Sequence, residues 1–366
     1  MLLRLSGSMS GSLLFWRGFA MLQDSFATRL VAWQEHHGRH DLPWQVSDPY
    51  RVWLSEIMLQ QTQVTAVLGY YARFLQQFPD VASLAAASVD EVLALWSGLG
   101  YYSRARNLHK AARMVMDEFG GRFPEQREDI QRLPGVGRST AAAIAAFAFG
   151  QRETILDGNV KRVLTRCFGI SGFPGEKTVE NRLWTLAESL LPADAAQMTA
   201  YTQGLMDLGA TVCGRKPACT VCPMVDGCAA AQQGRTHELP TPRPKKAVPT
   251  RHTVMLLAQH GDRIWLERRP PTGIWGGLLS LPEFADSMAV ESWLAEQGSG
   301  DVLPSWPELE HVFTHFRLII TPVPVRLDTL AGSRVQDSAG QWLPLEQALE
   351  AGLPAPVKRL LQRLNA

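Results

Sequence analysis

The chain has 366 residues, 46% of them hydrophobic and 19% charged, with a formal net charge of +1. That length is enough for two domains with separate cores, and the composition is that of an ordinary soluble globular protein, which excludes collagen-like, low-complexity and highly charged disordered classes. A net charge this close to zero gives no global pull on nucleic acid, so any such binding must come from local patches.

Taken in chain order, residues 1–20 look faintly like a secretion signal, but Arg17 interrupts the apolar part. A disordered extension or an over-long start is therefore expected, with the helical pattern beginning at Met21. From Met21 to about Ala231 the chain reads as helix after helix, rich in alanine and leucine and broken at Gly or Pro, which predicts an all-α domain over 21–231. Its longest apolar run, Ala141 to Phe149, is about half a membrane span, so no membrane partner is expected. The stretch QQGRTHELPTPRPKKAVPTRH, residues 232–252, carries four prolines and hardly any large apolar residue, and reads as a linker. Beyond it, HTVMLLAQHGDRIWLERR gives two strand-like runs around a Gly261-Asp262 turn, then come RLIITPVPVRL and a closing helix from about Ala355, so residues 253–366 should form an α+β domain.

In VWLSEIMLQQTQV, residues 52–64, one carboxylate, Glu56, sits among apolar residues on every side of a helix. Asp48 and Pro49 supply an N-cap and a first helical position, which puts Glu56 about two turns in. Burying an unpaired carboxylate costs several kcal/mol, and the usual escape is a raised pKa, leaving a neutral acid able to donate a proton near pH 7. A structural Glu bonded to backbone or to Gln60, Gln61 or Gln63 is the alternative. A second carboxylate, Asp157 in ILDGNVKRVL, reads as an N-cap whose backbone bonds should depress its pKa and keep it ionised. Two carboxyls pushed apart in pKa are what cleavage at an anomeric carbon uses.

In LPGVGRSTAAAIAAFAFG, Gly135 and Gly137 permit a tight turn before a helix starting near Ser139, a seat for phosphate that reads no base sequence, although an ordinary turn between helices would look similar. Arg106, Lys110 and Arg113 share a helix face, and Lys161, Arg162 and Arg166 crowd another segment; each set is either a solvated face or a phosphate track. Four of the five cysteines, Cys213, Cys219, Cys222 and Cys228, lie close together with only one CxxC pair, which favours a single four-cysteine iron-sulfur cage over a zinc ribbon or a disulfide framework. Arg215 and Lys216 between the first two cysteines form a basic loop placed to touch phosphate.

LSEIMLQQTQV, GLGYYSRARNLHKAA, LPGVGRSTA, ILDGNVKRVL and the cysteine block together resemble the adenine DNA glycosylase (MutY) family of the endonuclease III superfamily, over the chain from about Met21 to its end. The resemblance implies a six-helix barrel with a helix-hairpin-helix element and a [4Fe-4S] domain, followed by a Nudix-like domain. It implies base excision repair: removal of adenine opposite 8-oxoguanine or guanine in double-stranded DNA, leaving an abasic site, by a monomer of the cytoplasmic nucleoid. By that resemblance Glu56 is the acid that protonates adenine N7 and Asp157 stabilises the oxocarbenium. Gln61 is the wedge in the duplex, Tyr101 the aromatic beside the lesion, and Gln203 a contact to the flipped adenine. Gly135, Gly137, Ser139 and Lys161 belong to the DNA-binding set, and the four cysteines hold the cluster.

Ser139 stands where bifunctional relatives carry a Schiff-base lysine, and a hydroxyl forms no imine. A monofunctional enzyme is expected, with any lyase activity through Lys161 weak. An endonuclease III-like pyrimidine glycosylase is the runner-up. A silent damage-binding protein or a nucleotide hydrolase is the alternative from another class. GLLSLPEFADSMAVESWLAEQG resembles the Nudix box at Gly277, Glu283, Glu296 and Gly298, but its Arg-Glu is Glu291-Ser292 and the first of its later Glu pair is Ala295, so two of three metal-binding carboxylates are missing and nucleotide hydrolysis is not expected. Phe313, Thr314 and His315 resemble the recognition loop for 8-oxoguanine. The family usually has six residues between its first two cysteines and this chain has five.

Overall fold

A computed structural model describes residues 9–244, 248–330 and 340–364. The helices are α1 Met9–His37, α2 Pro49–Leu59, α3 Val64–Gln77, α4 Val81–Ala86, α5 Val89–Trp96, α6 Ser103–Phe119, α7 Arg127–Arg132, α8 Arg138–Phe149, α9 Gly158–Cys167 and α10 Lys177–Ser189, then α11 Met198–Asp207, α12 Ala229–Gln232, α13 Ser287–Gln297, α14 Leu345–Glu350 and α15 Ala355–Leu364. The strands are β1 Thr250–His260, β2 Arg263–Arg268, β3 Leu279–Ser280, β4 Glu283–Phe284, β5 Gly298–Val302, β6 Leu309–Val312, β7 Arg317–Leu330 and β8 Gly340–Pro344. Helix α1 starts at Met9 rather than at Met21, so part of the expected extension is helical. The expectation for residues 1–8 lies outside the described residues. Strand β1 takes in Thr250, Arg251 and His252, which the proline pattern assigned to the linker.

The termini follow local chemistry. Asp48 caps α2 by accepting from Arg51 N at 3.1 Å, with Pro49 in the first turn, as the sequence predicts. Helix α8 starts at Arg138 after Gly137 and ends on Gly150 in the left-handed region at φ 65°. Among the described residues, no helix is long and apolar enough to cross a membrane.

The chain divides into two compact units, one from Met1–Gln61 with Met114–Pro244 and the other from Thr62–Arg113 with Lys245–Ala366. The segment read as a single helical domain therefore contributes to both. In the first unit Leu22, Phe26 and Leu30 of α1 pack with Ala142, Ala143 and Ala146 of α8, Val160, Val163 and Leu164 of α9, and Tyr201 and Leu205 of α11. A Cβ on Gly204 would lie 3.0 Å from Leu30, which is why α11 carries glycine where it meets α1.

The second unit is built on an eight-stranded sheet ordered β3-β2-β1-β7-β5, with β4 also on β1, β6 on β7 and β8 on β2. Among the described residues only β1 and β7 pair in parallel, from Thr250 opposite Arg317 to Gln259 opposite Arg326. Pro322 and Pro324 would ordinarily demote β7 to an edge. It is central nonetheless, and the carbonyls of those prolines accept from Trp306 N and Leu303 N at 2.9 Å each. Helical residues are pinned to the sheet region: Tyr102 donates to Leu353 O at 2.9 Å, and Arg268 makes two bonds of 2.8 and 2.9 Å to Asp90.

Candidate active site

Every residue from Val52 to Met58 is buried except Glu56, which keeps part of its surface accessible. Its carboxyl is enclosed densely enough that desolvation, with the charge of Asp157 as second cause, pushes its pKa to about 8. Glu56 is thus mostly protonated at neutral pH, and the two carboxyls lie close enough to act on one another.

Asp157 is the N-cap of α9, as expected, and accepts from Val160 N at 2.8 Å. The expected depression of its pKa is overturned. Burial raises it, and the backbone bonds from Val160 and Asn159 and the charges of Arg162 and Lys161 offset only part of that rise. A cap on a surface helix stays hydrated; this one is folded into the interior, and desolvation wins.

Ser139, one residue into α8, accepts from Leu156 N at 2.9 Å and so holds the segment that presents Asp157. Gly135 adopts φ 81° in the turn before α8, while Gly137 has an ordinary extended conformation. Both glycines are exposed, as a phosphate seat requires. Gln60 reaches this turn from α2, 3.4 Å from Gly135 O and from Thr140 Oγ1. Gln61, the next residue, is exposed and left-handed at φ 57°, a conformation a side chain of its size seldom adopts outside functional or strained sites. Lys161 pairs through Nζ with Glu180, so its amine is engaged.

Gln203 is buried in α11 and donates through Nε2 to Asp207 Oδ1 at 2.8 Å. Asp207 is fully buried and receives Arg39 through the backbone N at 2.9 Å, Nε at 2.8 Å and the terminal guanidinium nitrogen at 2.6 Å. The Gln203 amide nitrogen is therefore committed to an internal network rather than standing free, and Asp207 and Arg39 went unnoticed in the sequence. The signal was weak: Asp207 is the one charged residue of α11, but the helix also carries Thr199, Thr202 and Gln203, so it does not stand out as Glu56 does.

Helix α9 also reaches the cysteines. Arg162 bonds Asn159 Oδ1 at 2.8 Å, Gly209 O at 2.7 Å and Cys213 O at 2.7 Å, and the π turn Leu208–Val212 leads directly into Cys213. A Cβ on Gly209 would lie 2.6 Å from Asn159 Cβ and 3.3 Å from its backbone. Gly209→Ala gains about 1 kcal/mol of helix propensity but forces an overlap with a rigid neighbour costing about 1–3 kcal/mol. We expect a lower melting temperature by calorimetry as the start of α9 is displaced.

Cys213, Cys219, Cys222 and Cys228 line one cavity with Cys167 and the buried Arg166. Among the described residues no three His, Cys, Asp or Glu side chains converge as ligands of a single metal ion would. The four cysteines instead border one shared space, and a cluster takes one thiolate per iron. The guanidinium of Arg166 bonds the carbonyls of Leu239, Gly214 and Arg215 at 2.8, 2.6 and 3.3 Å and lies 3.5 Å from Cys213 Sγ. A buried cation held by carbonyls and a sulfur suits an anionic thiolate group, so the donor set fits.

In the second unit, Tyr101 and the turn Phe313–His315 line one cavity of about 460 Å³. Tyr101 is 48% exposed and left-handed at φ 49°, with the Arg104 guanidinium 5.4 Å from its ring centroid. Phe313 N donates to Phe316 O at 2.9 Å, closing a tight turn with Thr314 and His315 at its tip. Arg106 is not free for phosphate: its guanidinium donates to Gly276 O. Of the Nudix-like carboxylates, Glu283 pairs with Arg269 at 2.7 Å and Glu296 is exposed.

Comparison with known proteins gives the family. The HhH-GPD superfamily of base excision DNA repair proteins matches residues 54–189, and the NUDIX domain matches residues 253–363. An adenine DNA glycosylase of Buchnera aphidicola subsp. Acyrthosiphon pisum is 37% identical over 93% of this chain and 97% of its own length. The chain belongs to the adenine DNA glycosylase family. The Homo sapiens adenine DNA glycosylase is 34% identical over 92% of this chain and 73% of its own length. A solved thermostable thymine-DNA glycosylase superposes with a TM-score of 0.52 at 31% identity, covering 58% of this chain and 98% of its own. In this adenine DNA glycosylase family member the interior carboxyls, the hairpin and the cysteines all fall within the first unit.

Proposed function

We propose that this chain is a monofunctional adenine DNA glycosylase that removes adenine opposite 8-oxoguanine or guanine from double-stranded DNA and leaves an abasic site. The observation that carries the reading is the carboxyl pair: Glu56, held protonated to about pH 8, beside Asp157. With the nucleotide flipped from the stack, Glu56 gives its proton to adenine N7 and the C1′–N9 bond breaks with its electron pair going to the base. Asp157 steadies the sugar cation until water adds at C1′ and returns a proton to Glu56. Ser139 offers no amine and Lys161 is paired with Glu180, which supports hydrolysis without strand cleavage. Gln61 serves as the wedge, Gly135 and Gly137 seat a phosphate, and the exposed Arg215 and Lys216 flank the cysteines as a second phosphate contact.

Cys213, Cys219, Cys222 and Cys228 hold a [4Fe-4S] cluster, which when bound cross-links the loop that follows α11. Gln203 contributes to the adenine pocket through its bond to Asp207. Tyr101 with Phe313, Thr314 and His315 reads the base opposite the adenine. The protein acts as a monomer on the nucleoid in the cytoplasm.

The test is a panel of duplexes carrying A:8-oxoguanine, A:G, thymine glycol and C:8-oxoguanine, alongside free 8-oxo-dGTP. Adenine should be released from the first two, and the abasic product should be nicked far more slowly than it forms. Consumption of thymine glycol or 8-oxo-dGTP instead, or nicking as fast as base release, would show the assignment to be wrong.

A further inference from the structure

The cavity that holds Tyr101 and the Phe313–His315 turn has a wall that the family motifs do not mention. Trp275 is 92% buried against it (8% exposed), with its indole 5.3 Å from the Phe313 ring and 5.6 Å from that of His311. It is not part of the sheet core, which is built from Leu256, Trp265, Val323 and Val325. Phe313 is thus bracketed by rings: Trp275 on one side, Phe316 stacked at 4.5 Å, and His311 edge-on at 4.6 Å. Among the described residues the other aromatic neighbours of Phe313, namely His311, His315 and Phe316, come from β6 and the turn before β7.

The backbone under Trp275 is held in a conformation that a bulky side chain avoids. It is left-handed, at φ 55°, one of three non-glycine residues so placed among the described residues, and Tyr101 on the same cavity is another. Such a conformation persists only where the surroundings over-determine it. Here they do. Gly277 N bonds both Arg269 O at 3.2 Å and Pro270 O at 3.1 Å, and Leu278 N bonds Trp275 O at 3.0 Å. A Cβ on Gly276 would sit 2.7 Å from Pro271 O, and Gly276 O receives the guanidinium of Arg106. Glycine on the far side and an arginine from α6 thus clamp the backbone that carries the indole.

We propose that Trp275 is a specificity-determining positioning residue: it holds Phe313, and with it the Thr314–His315 tip, at the fixed distance needed to tell 8-oxoguanine from guanine opposite adenine. The inference rests on the reading of this cavity given above. The two bases differ by one oxygen and one N–H, a difference readable only by groups held to within about half an ångström. A turn supported from its own hairpin alone can tilt as a unit; a ring anchored on another loop stops that tilt.

The test uses full-length protein in the Glu56→Gln background, so that binding is measured without turnover, and compares dissociation constants for A:8-oxoguanine and A:G duplexes in Trp275→Leu and Trp275→Phe. Trp275→Leu should lower the preference for 8-oxoguanine about tenfold or more, and Trp275→Phe should restore most of it. An unchanged ratio, or equal weakening on both duplexes as loss of packing would give, overturns the inference. A parent protein with no preference for 8-oxoguanine overturns the reading of the cavity itself. Should Trp275→Leu not fold, Arg106→Met leaves the indole present but removes the Gly276 anchor; it should lower the same ratio by a smaller factor, and an unchanged ratio there also counts against the proposal.

Discussion

Glu56→Gln is expected to release adenine about 10²–10⁴-fold more slowly than the parent protein while binding the same duplex, because the amide keeps the shape and the hydrogen-bonding reach of the carboxyl but has no proton to give. In the parent, single-turnover release should decline as pH rises through about 8, where Glu56 loses its proton. The same substitution changes stability with a definite sign. The folded-state pKa of Glu56 lies above the unfolded value of 4.5, so its contribution to stability is fully present below pH 4.5 and is lost as pH rises to about 8. Glu56→Gln should therefore be the more stable protein above pH 8, on the order of 3 kcal/mol after allowing for the accessible part of the side chain, and no more stable below pH 4.5. Denaturant melts at pH 4.5 and pH 9 check this. A variant less stable at both would mean that the carboxylate is paired rather than buried uncompensated.

Asp157→Asn separates the cap from the charge. Asn caps a helix about as well as Asp, so α9 should keep its start and the fold should change little. What disappears is the negative charge facing the sugar cation, and release should again fall about 10²–10⁴-fold. A second consequence follows from the mutual influence of the two carboxyls. Asp157 is the lesser of the two causes that raise Glu56, so residual activity in Asp157→Asn should lose its alkaline limb at a lower pH than the parent, by less than the whole shift, since desolvation remains. Measuring the pH profile of single-turnover release in the variant decides the matter, and an alkaline limb that does not move would mean that the two groups are not electrostatically linked.

Much of this was legible in the chain. Asp48-Pro49 announces the start of α2, and from that start the spacing alone carries Glu56 two turns into an apolar helix. Asp157 before Gly158 announces the cap of α9. The strand pair around Gly261-Asp262 and the closing helix at Ala355 follow from periodicity. These features are local: each depends on residues within a turn or two of one another. The first turns of α1 before Met21 do not follow from the sequence because a signal-like composition and an ordinary helix start look alike, and β7 is central despite its prolines because segments distant in sequence complete their bonding.

What no window of sequence contains is which distant groups share an interior. That Asp157 acts on Glu56, that burial outweighs the cap in setting the Asp157 pKa, that Gln203 is tied to Asp207 and Arg39, and that Trp275 backs Phe313 all depend on surfaces brought together from far along the chain. The residue types and their local conformations are dictated by short-range sterics and hydrogen bonding, which neighbours in sequence supply. Desolvation and charge coupling depend on the full three-dimensional surroundings of each group, and those exist only once the chain has folded.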